Sequence, residues 1–165
     1  MMTLEEIDEN IRYYMFGDFV KKGYYKKGKK IGKWEERFSH TAIEEGYYKN
    51  GEREGEWIVY YDYLIFKKGQ YHKGKKTGEW IFSFNNKIKS KGHYLEDKKT
   101  GEWMIITNGK KEEGEFINGK RNGKWKYYYK NGKIEAIRTY KNGENVGIWK
   151  YYDEDGKLIR SVKKQ

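Results

Sequence analysis

The chain has 165 residues, the length of one ordinary domain, with 37% charged and 18% aromatic residues, a net charge of +11, and no cysteine or proline. Disordered chains are poor in aromatics, so this content argues against disorder, and without cysteine there is neither a disulfide framework nor a thiolate metal site. The positive charge favours an acidic protein, a nucleic acid or an anionic membrane surface, and chooses none of them; a lysine-rich solvated surface accounts for it equally.

Residues 1–10 read as an N-terminal cap segment, expected to be a short helix. Thr3 with Glu6 forms a capping-box pattern, and Leu4, Ile7 and Ile11 have helical spacing. This start is acidic and has no continuous apolar run, so no signal peptide is expected. No later stretch has the length of a membrane-spanning helix, and a cytoplasmic location is the expectation. Residues 11–22 align with 57–68, both ending just before a glycine, and read as a degenerate half-unit. A helix running on to about Phe16 is the competing reading.

From Gly23 onward the chain is periodic. Trp34, Trp57, Trp80, Trp103, Trp125 and Trp149 are separated by 23, 23, 23, 22 and 24 residues. Units begin at 23, 46, 69, 92, 114 and 138, eleven residues before each Trp, with Gly in the first five and Arg138 in the sixth. A fixed period of this length marks a repeat array. Each unit carries an aromatic at its third position (Tyr25, Tyr48, Tyr71, Tyr94, Phe116, Tyr140) and a Gly two residues before the Trp. The Asn-Gly pairs at 50–51, 118–119 and 142–143 mark turns on one edge, and Asn131-Gly132 and Asp155-Gly156 mark turns on the other. Asp97 stands where the other units have a turn glycine.

Two antiparallel strands per unit follow, and residues 11–165 read as an all-β, single-layer, twisted antiparallel meander of about six 23-residue hairpins. Alternation puts each Trp on one face with the residues two and four beyond it, such as Val59 and Tyr61. The six Trp are therefore structural repeat residues, expected to be buried, with the glycines leaving room for indoles.

The run G-x-Y-x-N-G-K-x-x-G-x-W-x-x-Y-Y-x-x-N-G-K, clearest in Gly46–Tyr61 and Gly114–Lys133, resembles the MORN repeat, and more closely the variant found in bacterial YwqK-type antitoxin proteins. The resemblance implies an open β-hairpin array without enzymatic activity. It implies, further, an antitoxin or immunity protein that binds and neutralises a toxin; scaffolding and membrane-surface binding are the other roles it brings.

No catalytic or metal-binding residues and no cofactor are expected. His40, His72 and His93 lack accompanying ligands, the glycines form no phosphate loop, and Glu112 and Glu113 point to opposite faces of a strand. Two surfaces remain. Lys29-Lys30, Lys75-Lys76, Lys98-Lys99 and Lys120-Arg121 recur at one turn and predict a basic edge, either a docking edge or a solubilising one. On the face opposite the Trp, Ile58, Tyr60, Ile81, Leu95, Met104, Ile106 and Ile117 predict an apolar patch rimmed by charge, the expected partner site unless another element covers it. The expected partner is a toxin with an acidic surface, held by occlusion of its active cleft. A scaffold or membrane-surface adaptor using the basic edge, and a nucleic-acid-binding module, are the alternatives.

Overall fold

The computed structural model describes residues 14–16, 19–38, 42–61 and 65–164. The chain forms two compact units, Met1–Lys87 and Ile88–Gln165. The first holds β1 (Tyr14–Phe16), β2 (Phe19–Lys26), β3 (Lys29–Arg37), β4 (Ala42–Lys49), β5 (Glu52–Tyr61), β6 (Ile65–His72) and β7 (Lys75–Phe84). The second holds β8 (Lys87–Leu95, whose first residue belongs to the first unit), β9 (Lys98–Thr107), β10 (Lys110–Ile117), β11 (Lys120–Tyr128), β12 (Ile134–Lys141), β13 (Glu144–Tyr152) and β14 (Leu158–Lys164). Within each unit every strand pairs antiparallel with the next in the chain, giving a single-layer meander. Among the described residues there is no helix. Tyr14–Phe16 is a strand paired with Phe19–Lys21, so the helix reading fails there. The expected cap helix at residues 1–10, with Thr3 and Glu6, lies outside the described residues.

The repeat geometry turns on one irregularity per hairpin. The Gly two residues before each Trp has positive φ, +62° to +70° from Gly32 to Gly147, and the ladder to the preceding strand shifts register beside it, as between Gly46 and Tyr47 opposite β5. This is a β-bulge at a left-handed residue, where glycine escapes the Cβ clash. The bulge lays the indole over the preceding strand, and the residue beneath it is the unit's first glycine: a Cβ on Gly46 would stand 2.3 Å from Trp57 Cδ2.

The indole N–H then reaches the carbonyl just after that glycine. Trp57 Nε1 donates to Tyr47 O at 3.1 Å, and Trp80, Trp103 and Trp125 do the same to Gln70, His93 and Glu115. Neighbouring aromatics meet the ring edge-on. Trp57 lies between Tyr48 (5.2 Å, 90°) and Tyr71 (6.0 Å, 80°), and Trp103 between Tyr94 (5.2 Å) and Phe116 (6.0 Å). Such contacts add about 0.5–1.5 kcal/mol each beyond area burial. The first five indoles are 0–2% exposed, so this sheet buries its core within its own thickness.

The last repeat departs from the pattern. With Arg138 in place of glycine, Trp149 cannot lie flat; it meets Tyr140 at 47° and keeps a longer 3.3 Å bond to Thr139 O.

Turns on the edge nearest the bulges are two-residue hairpins with positive φ at both central residues, as at Asn50-Gly51 and Glu96-Asp97. They also bond to one another: Gly51 N–H donates to Lys30 O, and Gly119 N–H to Lys99 O, at 2.9 and 2.8 Å. On the other edge, Asn131-Gly132 and Asp155-Gly156 sit in longer loops with positive φ only at the glycine, each closed by a bond such as Gly132 N–H to Tyr129 O, 3.0 Å.

Candidate partner-binding surfaces

The aromatic face is roofed by cations. Four residues before each of the first five Trp stands a Lys or Arg whose charge lies over the indole: Lys30 (4.3 Å from the Trp34 ring centre), Arg53 (4.2 Å), Lys76 (4.7 Å), Lys99 (4.3 Å) and Arg121 (4.1 Å). Most reach the next unit's aromatic too, as Arg53 reaches Tyr71 at 5.3 Å. Carboxylates neutralise Lys30 (the buried Glu36), Arg53 (Glu44, 2.5 Å) and Arg121 (Glu112, 2.7 Å). Burial would lower the Lys30 ammonium, but the Glu36 carboxylate outweighs it and leaves the group above the ordinary lysine range. Lys99 is shifted the other way, by burial and then by the neighbouring Arg121 charge.

This geometry divides the expected basic edge. Lys30, Lys76, Lys99 and Arg121 turn onto the indoles, while Lys29, Lys75, Lys98 and Lys120 remain exposed at the turns. The stems of Lys29, Lys98 and Lys120 pass 3.7–4.0 Å from the space a Cβ would fill on Gly51, Gly119 and Gly143 of the next turn. Sequence reading missed Arg53, which takes the same place over Trp57; its spacing of four residues before Trp was the available signal.

On the opposite face of the first unit, Ile58, Tyr60 and Ile81 are half-buried. Register adds two residues from return strands. Tyr60 lies between Ile43 and Phe66, with the Tyr60 and Phe66 rings 5.8 Å apart, and Ile58 lies between Glu45 and Lys68, with Ile81 beyond Lys68. Ile43 and Phe66 escaped the sequence reading because the Trp-to-next-unit half varies in length. The result is a cross-strand apolar row, Ile43–Tyr60–Phe66, flanked by a mixed row.

In the second unit the expected patch is not continuous. Leu95 pairs with Lys98 beside the turn, whereas Met104 pairs with Lys91 on the same strand, four residues or about 13 Å away. Ile117 pairs with Lys120 at the turn, and Ile106 with Lys111 toward the other edge. Leu95 and Ile117 are exposed, at 61% and 45%, while Met104 and Ile106 are half-buried. Between Met104 and Tyr128 runs a polar set in which Glu113 accepts from Lys111 and from the Tyr128 hydroxyl, both at 2.8 Å. Burial would raise the Glu113 carboxyl, but these two donors hold it below the usual range. Tyr128 is pushed up to about 12 by burial and by its bond to Glu113.

Among the described residues no group of His, Asp or Glu could hold a metal ion. His72 pairs with Glu54 at 3.0 Å in an exposed contact, His93 supplies its carbonyl to Trp103, and His40 lies outside the described residues. No curated protein matches the chain. Repeats of the MORN type generally bind proteins or membranes and are generally non-enzymatic. The family model for the MORN repeat variant matches residues 121–142 and 145–162, the stretch that carries β11 to β14, and this part of the chain is similar to that repeat.

Proposed function

We propose that the chain is a non-enzymatic protein-binding array that acts as an antitoxin or immunity protein, neutralising a cognate toxin by covering its active cleft. The observation that carries this reading is the apolar row Ile43–Tyr60–Phe66, half-buried on a face where each strand of a single layer offers its side chains outward. The aromatic face supports it by taking over the work of a core, which frees the other face for a partner. A positive field of +11 favours a partner with an acidic surface and speeds encounter with it. The family resemblance supports the toxin as the kind of partner. The test is neutralisation: the product of the adjacent gene, toxic when expressed alone, is relieved by the wild-type chain and not by Ile58→Asp with Ile81→Asp. Equal relief by that variant, folded, removes the proposed face.

A second reading, a membrane-surface adaptor, is favoured by the turn edge of the second unit. There the exposed Leu95 and Ile117 each stand across from an exposed lysine, Lys98 and Lys120, a pairing suited to an anionic interface. It predicts co-sedimentation with anionic vesicles that fades with salt and is lost in Lys98→Glu with Lys120→Glu.

A further inference from the structure

The last repeat carries more cations over its aromatic face than its own carboxylates can satisfy. Arg138 stands 4.4 Å from the Tyr127 ring centre, 4.8 Å from Trp149 and 5.7 Å from Tyr151. Arg160 lies 4.5 Å from Tyr151, and Lys164 lies 5.1 Å from Trp149. Three cations from β12 and β14 therefore surround two rings of β13. Among the described residues no carboxylate pairs with any of the three, and Arg138 Nε is buried without a hydrogen-bond partner.

Two earlier units show how a cation over these rings can be neutralised. Glu44, which neutralises Arg53, lies thirteen residues before Trp57, and Glu112, which neutralises Arg121, lies thirteen before Trp125. The same position before Trp149 is Ala136, which is 1% exposed. Asn145 stands four residues before Trp149, where the first five units have a cation, and Arg138, Arg160 and Lys164 take over the rings with alanine at the position of Glu44 and Glu112.

We propose that Arg138, Arg160 and Lys164 form a binding site for the carboxylates of an acidic peptide segment, which supplies the negative partner that Glu44 and Glu112 supply to Arg53 and Arg121. The guanidinium groups offer charge-assisted hydrogen bonds to a planar carboxylate, and the rings beneath shield them on one side from water. Cations on both flanks of Tyr151 suit an extended segment with more than one acidic side chain. The site deepens the protein-binding reading by naming the chemistry of the partner's segment. It lies on the aromatic face, so its failure and that of the opposite apolar row are separate results.

The experiment is a titration of the full chain with a short poly-glutamate peptide, with poly-glutamine of equal length as control. Ala136→Glu places a carboxylate two residues from Arg138 on the same face and is expected to weaken peptide binding roughly tenfold or more, with a lower melting temperature because the site is packed between Tyr127 and Tyr151. Arg160→Gln with Lys164→Gln, at exposed and half-exposed positions, is expected to give the same loss by removing the site, and decides the matter if Ala136→Glu does not fold. Lys73→Gln, an equal charge change to Ala136→Glu at an exposed turn of the first unit, is expected to change binding by about twofold at most. Binding unchanged in the site variants, or an equal loss in Lys73→Gln, would overturn the assignment. So would a preference for an oligonucleotide of equal charge over the peptide, which would make the ligand a nucleic acid.

Discussion

Gly92 lies directly beneath the indole of Trp103, so close that a Cβ there would stand 2.2 Å from Trp103 Cδ2. The ring is held from below by the backbone and at its edges by Tyr94 and Phe116, so it has little room to yield. Gly92→Ala is therefore expected to destabilise by about 1–3 kcal/mol through overpacking, although alanine normally favours a strand over glycine. Thermal unfolding checks it. An unchanged melting temperature would mean that the indole can tilt at no cost, as Trp149 tilts over Arg138.

The indoles are the largest buried side chains, and Trp80 is 2% exposed. Trp80→Ala removes a ring with its bond to Gln70 O and is expected to cost about 3–5 kcal/mol. Denaturant titration measures this, and a loss under about 1 kcal/mol, the scale of an ordinary surface change, would contradict an indole-based core.

At the turns the sequence is not optimal everywhere. Lys27 adopts φ +48° at the position where Asn50, Asn118 and Asn142 sit in other hairpins. Asparagine tolerates the left-handed region better than lysine, so Lys27→Asn should stabilise by about 0.5–1 kcal/mol. A lower melting temperature for that variant would show that the lysine stem contributes more than the strain costs.

Alkaline pH tests the Tyr128–Glu113 bond. Burial and that bond raise the Tyr128 phenol from 10.0 to about 12. A raised folded pKa favours the protonated form in the native state, so its contribution is complete below about pH 10 and is lost as pH rises through about 12. Tyrosinate absorbance should show a late-ionising fraction that falls by one tyrosine in Tyr128→Phe, the rest belonging to Tyr127, which burial and its bond to Tyr140 also raise. A variant with the same late fraction would place the shift on another tyrosine.

How much of this was legible in the sequence follows from which contacts are local. The bulge glycines, the turn pairs and the Trp period lie inside a twelve-residue half-unit that never changes length, so strand number and faces could be read directly. The cation roof lies in the same half-unit and was legible too: Lys30 and Trp34, four residues apart, share a face by plain alternation, but grouping both lysines of each turn pair as one edge hid that only the second of them lies over the indole. The apolar patch depended on register between strands joined by loops of unequal length. There Ile43 and Phe66 were hidden, and Leu95 was wrongly grouped with Met104 although the two lie at opposite ends of β8's pairing with β9.

The claim at the centre is that one face supplies the core so that the other can hold a protein. Calorimetric titration of the wild-type chain and of Ile58→Asp with Ile81→Asp against the adjacent gene's product tests it most directly. The account predicts saturable binding by the wild type that persists at high salt and is absent in the folded variant. Equal affinity in both, or binding that vanishes with salt alone, would contradict it.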